Sequence, residues 1–95
     1  MENAILEEIK KLSLAFFKDA QVRLYGSRFK NTAKVNSDID ILIVTQKPNY
    51  YQQLQLIHTL KESDIPYEVD IQVATEQQIA QNPQLKNIYT HSEAL

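Results

Sequence analysis

Residues 38–44, Asp-Ile-Asp-Ile-Leu-Ile-Val, constrain the fold of this chain more than any other stretch. The run is rich in β-branched residues; it opens by alternating acid with apolar and then turns wholly apolar. A strand buried on one face reads as alternation, and one buried on both faces reads as a continuous apolar run. The segment therefore predicts a central strand, covered on both sides at its far end, whose near end carries Asp38 and Asp40. Strand side chains alternate with period two, so both carboxylates share one face, about 6.5–7 Å apart. Like charges this close repel, and burial raises their proton affinity. A compensating divalent cation resolves the conflict. Hard carboxylate oxygens suit Mg²⁺, which keeps waters and takes substrate phosphates as further ligands.

A third carboxylate lies on another strand. Residues 67–73 alternate, with Tyr67, Val69, Ile71 and Val73 on one face and Glu68, Asp70 and Gln72 on the other. If the two strands are neighbours, Asp70 comes beside Asp40 as a cross-strand pair. Three carboxylates on adjacent strands can hold two Mg²⁺ ions about 3.5–4 Å apart, the arrangement used for in-line phosphoryl or nucleotidyl transfer.

The chain has 95 residues and a single glycine, Gly26, where average usage of about 7% would supply roughly six or seven. It ends a short alternating strand, Gln21–Tyr25. A strand ending in Gly26-Ser27 turns sharply and brings backbone N–H groups and the Ser27 hydroxyl towards a triphosphate. Arg28 adds a charge-assisted contact. There is no Gly-rich run and no Gly-Lys-Ser/Thr, so this is not a P-loop. Lys30 and Lys34 read as solvated loop residues as readily as phosphate attractors. Each signal alone also has a plainer reading, Gly26 and Asp38 as turn residues and Asp70 as a solvated strand residue. Their combination carries the argument.

The remaining pattern predicts helices over 4–18, capped by Asn3, and from Pro48-Asn49 to about Glu62, with Asn49 and Gln52 spaced as a capping box. Thr75 and Gln78 repeat that spacing, Pro83 interrupts, and Leu85, Ile88 and Tyr89 mark a last short helix. His58 is expected on a helix surface and His91 in a frayed tail. The order α-β-β-α-β-α implies an α/β sandwich of α+β-like character, a small mixed sheet flanked by helices, in one domain spanning 1–95. Ten Lys and Arg against twelve Asp and Glu give a formal net charge of −2. That argues against an anionic-membrane binder and against direct nucleic-acid binding, both of which need a basic face. With no cysteine there is no disulfide, thiolate zinc site or Cys nucleophile. No signal peptide or spanning apolar run is present, so the cytoplasm is the expected compartment.

Gly26-Ser27, ten intervening residues and Asp38-Ile39-Asp40 resemble the signature of the minimal nucleotidyltransferases of the DNA-polymerase-β-like superfamily. Leu24-Tyr25-Gly26-Ser27-Arg28, Ser37-Asp38-Ile39-Asp40-Ile41 and the later Val69-Asp70-Ile71 extend the likeness along essentially the whole chain. The resemblance implies Mg²⁺-dependent transfer of NMP, usually AMP from ATP, onto a hydroxyl. Asp38, Asp40 and Asp70 would hold the metals and serve catalysis, while Gly26, Ser27 and Arg28 would bind the nucleotide's phosphates. Where the family often has a second glycine, this chain has Asn31, the non-glycine residue that most readily takes left-handed backbone geometry. Stand-alone members are typically antitoxins whose partner is an all-helical HEPN-domain ribonuclease, neutralised by AMP transfer to a tyrosine. Two alternatives remain open: a binding module that blocks its partner stoichiometrically, and a transferase acting on a small molecule or an RNA end. A homodimer is compatible with either.

Overall fold

The computed structural model describes residues 2–32 and 37–95. Its elements run α1 (Glu2–Phe16), β1 (Gln21–Tyr25), α2 (Gly26–Phe29), β2 (Ile39–Val44), α3 (Tyr50–Glu62), β3 (Val69–Ala74), α4 (Glu76–Gln81), α5 (Pro83–Thr90) and β4 (Glu93–Ala94). The strands form one mixed sheet in the order β3-β2-β1-β4. β2 is antiparallel to β1 and parallel to β3. The fold is α+β, as the sequence pattern implies, and the apolar run of β2 does lie inside the sheet.

One face of the sheet carries Val22, Leu24, Ile39, Ile41, Ile43 and Ile71, which pack with Ile9 and Phe17 at the α1 end and Leu56 and Leu60 of α3. The other face is covered only in part. There Leu42, Val44 and Ala74 pack with Ile79 of α4, with Leu85, Ile88 and Tyr89 of α5 and Tyr25 at the margin. Leu42 and Ile43 point to opposite faces and are both fully buried; truncating either costs about 2–5 kcal/mol in cores of this kind. The covering helices stop short of the near end of β2, so the Asp40 row remains open on that face.

Local signals set most boundaries. Asn49 accepts from Gln52 N at 3.1 Å at the start of α3. Thr75 and Gln78 exchange both bonds of a capping box at α4. Asn82 closes α4 and caps α5, whose first turn holds Pro83. Three expectations fail. β3 runs from Val69 to Ala74, so Tyr67 and Glu68 precede it. α1 begins at Glu2 and ends at Phe16, so Asn3 lies inside it and Lys18 beyond it. Nor is the C-terminal segment a frayed tail. It adds β4 to the sheet, with Arg23 opposite Ala94 and Leu95 N donating to Val22 O at 2.9 Å.

Arg23 explains that docking. Its Nε donates to Ser92 Oγ at 2.6 Å, a terminal nitrogen donates to Ser92 O at 3.0 Å, and the guanidinium lies 4.4 Å from the centre of the Tyr89 ring. Ser92 is buried and in turn donates to Tyr89 O at 2.6 Å. Charge-assisted bonds to a buried hydroxyl are worth about 1.5–3 kcal/mol. Arg23→Ala is expected to lower unfolding stability in urea by roughly that amount, and Arg23→Lys to recover only part, since an ammonium lacks the planar fork.

Candidate active site

The register of the sheet assembles the site. Asp40 is paired with Asp70 across the parallel β2–β3 ladder and with Tyr25 across the antiparallel β1–β2 ladder. Residues paired across a ladder project from the same face. Tyr25, Asp40 and Asp70 therefore form one row on the partly open face, with Asp70 on the edge strand. Asp38 lies just before β2 and is exposed. Among the described residues, no three acidic or histidine side chains already stand close enough to enclose a metal ion.

The charges in the row act on one another. Burial raises the proton affinity of the Asp40 carboxyl, and Asp70 and then Asp38 raise it further. Burial also pushes the Tyr25 phenol up to about 12, assisted by Asp40 and Asp70. Tyr25 therefore stays a neutral hydrogen-bond donor at physiological pH. The donor set is all hard oxygen, and its mutual repulsion is of the kind a divalent cation relieves. In chemical type, the three aspartates fit Mg²⁺.

Gly26 is required twice over. Its φ is +77°, and a Cβ there would collide with Asp40 Oδ2 and come within 3.1 Å of Asp40 Cγ. The absent side chain thus makes the space in which the Asp40 carboxylate sits. Beyond Gly26 the chain forms one helical turn, α2, not the irregular stretch the sequence suggests. Lys30 N donates to Gly26 O at 3.0 Å and Thr32 N to Ser27 O at 2.9 Å. Asn31 between them has φ +60°. This is the six-to-one closure that follows a helix when the residue after its C-cap turns left-handed. Asn31 therefore takes the backbone geometry for which the family often uses glycine.

Ser27 lies in this turn, half-buried, beside the glycine that contacts Asp40. Arg28 is tied into the fold: a terminal nitrogen donates to Ser37 O at 2.7 Å, and the guanidinium stacks 4.2 Å from the centre of the Tyr67 ring. It thereby braces the entry to Asp38. Lys30 is exposed, and Lys34 lies outside the described residues. His58 is exposed on α3, and His91 Nδ1 is 2.9 Å from Asn87 O. Tyr25 and Tyr67 were not singled out as site residues by their sequence. The period-two pattern puts Tyr25 opposite Leu24, but only the strand pairing sets it beside Asp40.

Two outcomes test this geometry. Gly26→Ala is expected to cost about 1–3 kcal/mol, combining left-handed strain with displacement of Asp40; chemical denaturation reads it. Asp40 holds its proton more tightly when folded, so its contribution to stability is complete below 3.8, its ordinary value, and is lost as pH rises through the elevated native value. Asp40→Asn should therefore melt higher than the parent at neutral pH, with the gap closing towards pH 3.

Comparison with known proteins bears on the family and the fold. A nucleotidyltransferase domain family matches residues 3–94. A Haemophilus influenzae protein named "Probable protein adenylyltransferase MntA" is 33% identical over 64 residues, which are 66% of this chain and 56% of that relative. The aligned stretch thus spans little more than half of the curated relative. A Sulfolobus solfataricus crystal structure assigned as a nucleotidyltransferase superposes with a TM-score of 0.63 at 21% identity, covering 96% of this chain and 76% of that one. A second structure of the same assignment gives 0.65 at 21% identity, over 95% and 96% of the two chains. At that identity the structures speak for the fold. The sequence match over almost the whole length, on a sheet that pairs Asp40 with Asp70 beside Gly26-Ser27, makes this chain a member of the nucleotidyltransferase domain family.

Proposed function

We propose that this chain transfers AMP from ATP to a hydroxyl of a partner protein. The observation that carries the reading is the Asp40–Asp70 pair on an open sheet face beside the Gly26-Ser27 turn. Asp38, Asp40 and Asp70 would hold Mg²⁺. Bound there, the metal neutralises phosphate charge and polarises the phosphorus under attack. The α2 turn supplies the Ser27 hydroxyl and backbone N–H groups to the β- and γ-phosphates. Asp70, exposed on the edge strand, takes the proton of the acceptor hydroxyl as its oxygen bonds to the α-phosphorus and pyrophosphate departs. Tyr25, kept neutral, walls the row on the β1 side.

The protein acceptor is supported by the name of the Haemophilus relative. On this reading the acceptor is a tyrosine of an all-helical HEPN-domain toxin and this chain its antitoxin, as the family resemblance implies. The second reading, neutralisation by binding alone, draws on a separate feature. Tyr50, Tyr51 and Leu54 of α3 are 74%, 68% and 46% exposed, an unusual concentration of apolar surface for a helix. The helix packs on the sheet face opposite the acidic row, so a partner held there would leave the row free.

Incubation with ATP, Mg²⁺ and the helical partner should add one or more AMP groups to the partner, read by intact-mass spectrometry. Asp40→Asn should reduce the rate by about a hundredfold or more, since metal-ion assistance is worth several kcal/mol. Absence of the adduct with the parent chain defeats the transferase reading. Unimpaired toxin neutralisation by Asp40→Asn would establish binding as sufficient.

A further inference from the structure

Three segments of chain meet at one end of the sheet beside the site. β1 leaves through Gly26 into α2, β2 is entered through Ser37 and Asp38, and β3 through Tyr67 and Glu68. Ser37 and Tyr67 stand at equivalent positions, each two residues before the Ile39–Val69 pair. Arg28 links all three segments. From α2, a terminal nitrogen donates to Ser37 O at 2.7 Å, and the guanidinium lies 4.2 Å from the centre of the Tyr67 ring. On the other side of Asp38, Ile39 N donates to Glu68 O at 2.9 Å. The Asp38 backbone is therefore held before and after by Tyr67-Glu68, once through Arg28 and once directly. Pro66 fixes the backbone φ just ahead of that dipeptide.

We propose that Arg28 and Tyr67 are positioning residues that preset Asp38 as a metal ligand, and that Arg28 takes this role in place of phosphate binding. The inference rests on the transferase reading above. Tyr67 packs against the helical core cluster, on the sheet face opposite the acidic row. Stacking on that ring commits the guanidinium to the core side, whereas Asp40 and Asp70 open to the other. Asp38 needs such support more than its companions do. Asp40 and Asp70 lie within strands and are held by the ladder, but Asp38 precedes β2 and is exposed. A ligand on a loose backbone loses affinity to the entropy of ordering it when the cation binds. The planar guanidinium suits the task, because it stacks on a ring and donates a charge-assisted bond at the same time.

Mn²⁺ binding followed by electron paramagnetic resonance tests the pair, and calorimetric titration with ATP in the absence of metal reads the phosphate contacts separately. Arg28→Lys, which keeps the charge but loses the planar fork, should weaken Mn²⁺ about tenfold or more and leave metal-free ATP affinity within about twofold, as for lost support behind a metal ligand. Tyr67→Leu should do the same, while Tyr67→Phe, which keeps the ring face, should bind Mn²⁺ like the parent. Equal Mn²⁺ affinity in Arg28→Lys and the parent overturns the positioning role. Weaker metal-free ATP binding by Arg28→Lys, with Mn²⁺ binding intact, returns Arg28 to the phosphates and overturns it as well. Tyr67→Phe as weak towards Mn²⁺ as Tyr67→Leu removes the stack from the argument and the role of Tyr67 with it. Loss of Mn²⁺ and ATP together, with a lower urea midpoint, assigns the pair to folding and overturns the proposal too. All these outcomes leave the transferase reading standing. A parent chain that binds no Mn²⁺ overturns the proposal, and if it binds no ATP either, the transferase reading falls with it.

Discussion

The parallel ladder between β2 and β3 brings Asp70 beside Asp40, two carboxylates that would separate if nothing held them. Their proximity is imposed by what lies beneath. Ile39, Ile41 and Ile71 face the helical core, and a one-residue slip would turn each of them outward. The energy that fixes the register is hydrophobic, several side chains at about 1.5–3 kcal/mol each. The repulsion it overrides is smaller, because Asp70 and Asp38 are exposed and screened by water. Apolar packing on one face therefore holds an electrostatically unfavourable arrangement on the other, which a cation would relieve.

The second half of the site is built by subtraction. The backbone at Gly26 passes so close to Asp40 that a methyl group would displace the carboxylate. Gly26, with Ser27 next to it, is thereby kept beside Asp40, although the two come from separate stretches of chain. Asn31 then ends the α2 turn by going left-handed, and Arg28 braces the return to Asp38 through Ser37 O and the Tyr67 ring. The Gly26-Ser27 turn and the aspartates 38 and 40 thus share one short stretch of chain, held by Arg28.

Uneven covering of the sheet determines what remains accessible. α1 and α3 occupy one face fully. On the other, α4 and α5 bury Leu42, Val44 and Ala74 but leave the acidic row and Gln72 open. The Arg23–Ser92–Tyr89 cluster draws the end of the chain back onto β1 and so ties down the segment following α5. The outer surface of α3, with Tyr50, Tyr51 and Leu54, stays exposed and opposite to the chemistry.

Period and spacing alone made much of this legible. Alternation over 38–44 and 67–73 marked two strands and their acidic faces, capping residues at Asn49 and Thr75 marked helix starts, and Gly26-Ser27 followed by Asp38-Ile39-Asp40 marked the family. These are local properties, written in the geometry of a few adjacent residues. What lay beyond them depended on contacts between distant segments. Asn3 was absorbed into a helix extended at its start, and the C-terminal residues became a strand because Arg23, some 69 positions away, binds Ser92. Tyr25 joined the acidic row through strand pairing, and Tyr67 came beneath the Arg28 guanidinium through the approach of two segments distant in sequence. Sequence determined which residues can share a face; tertiary structure decided which faces meet, because side-chain alternation is set within a strand whereas register is set by the core that two strands bury together.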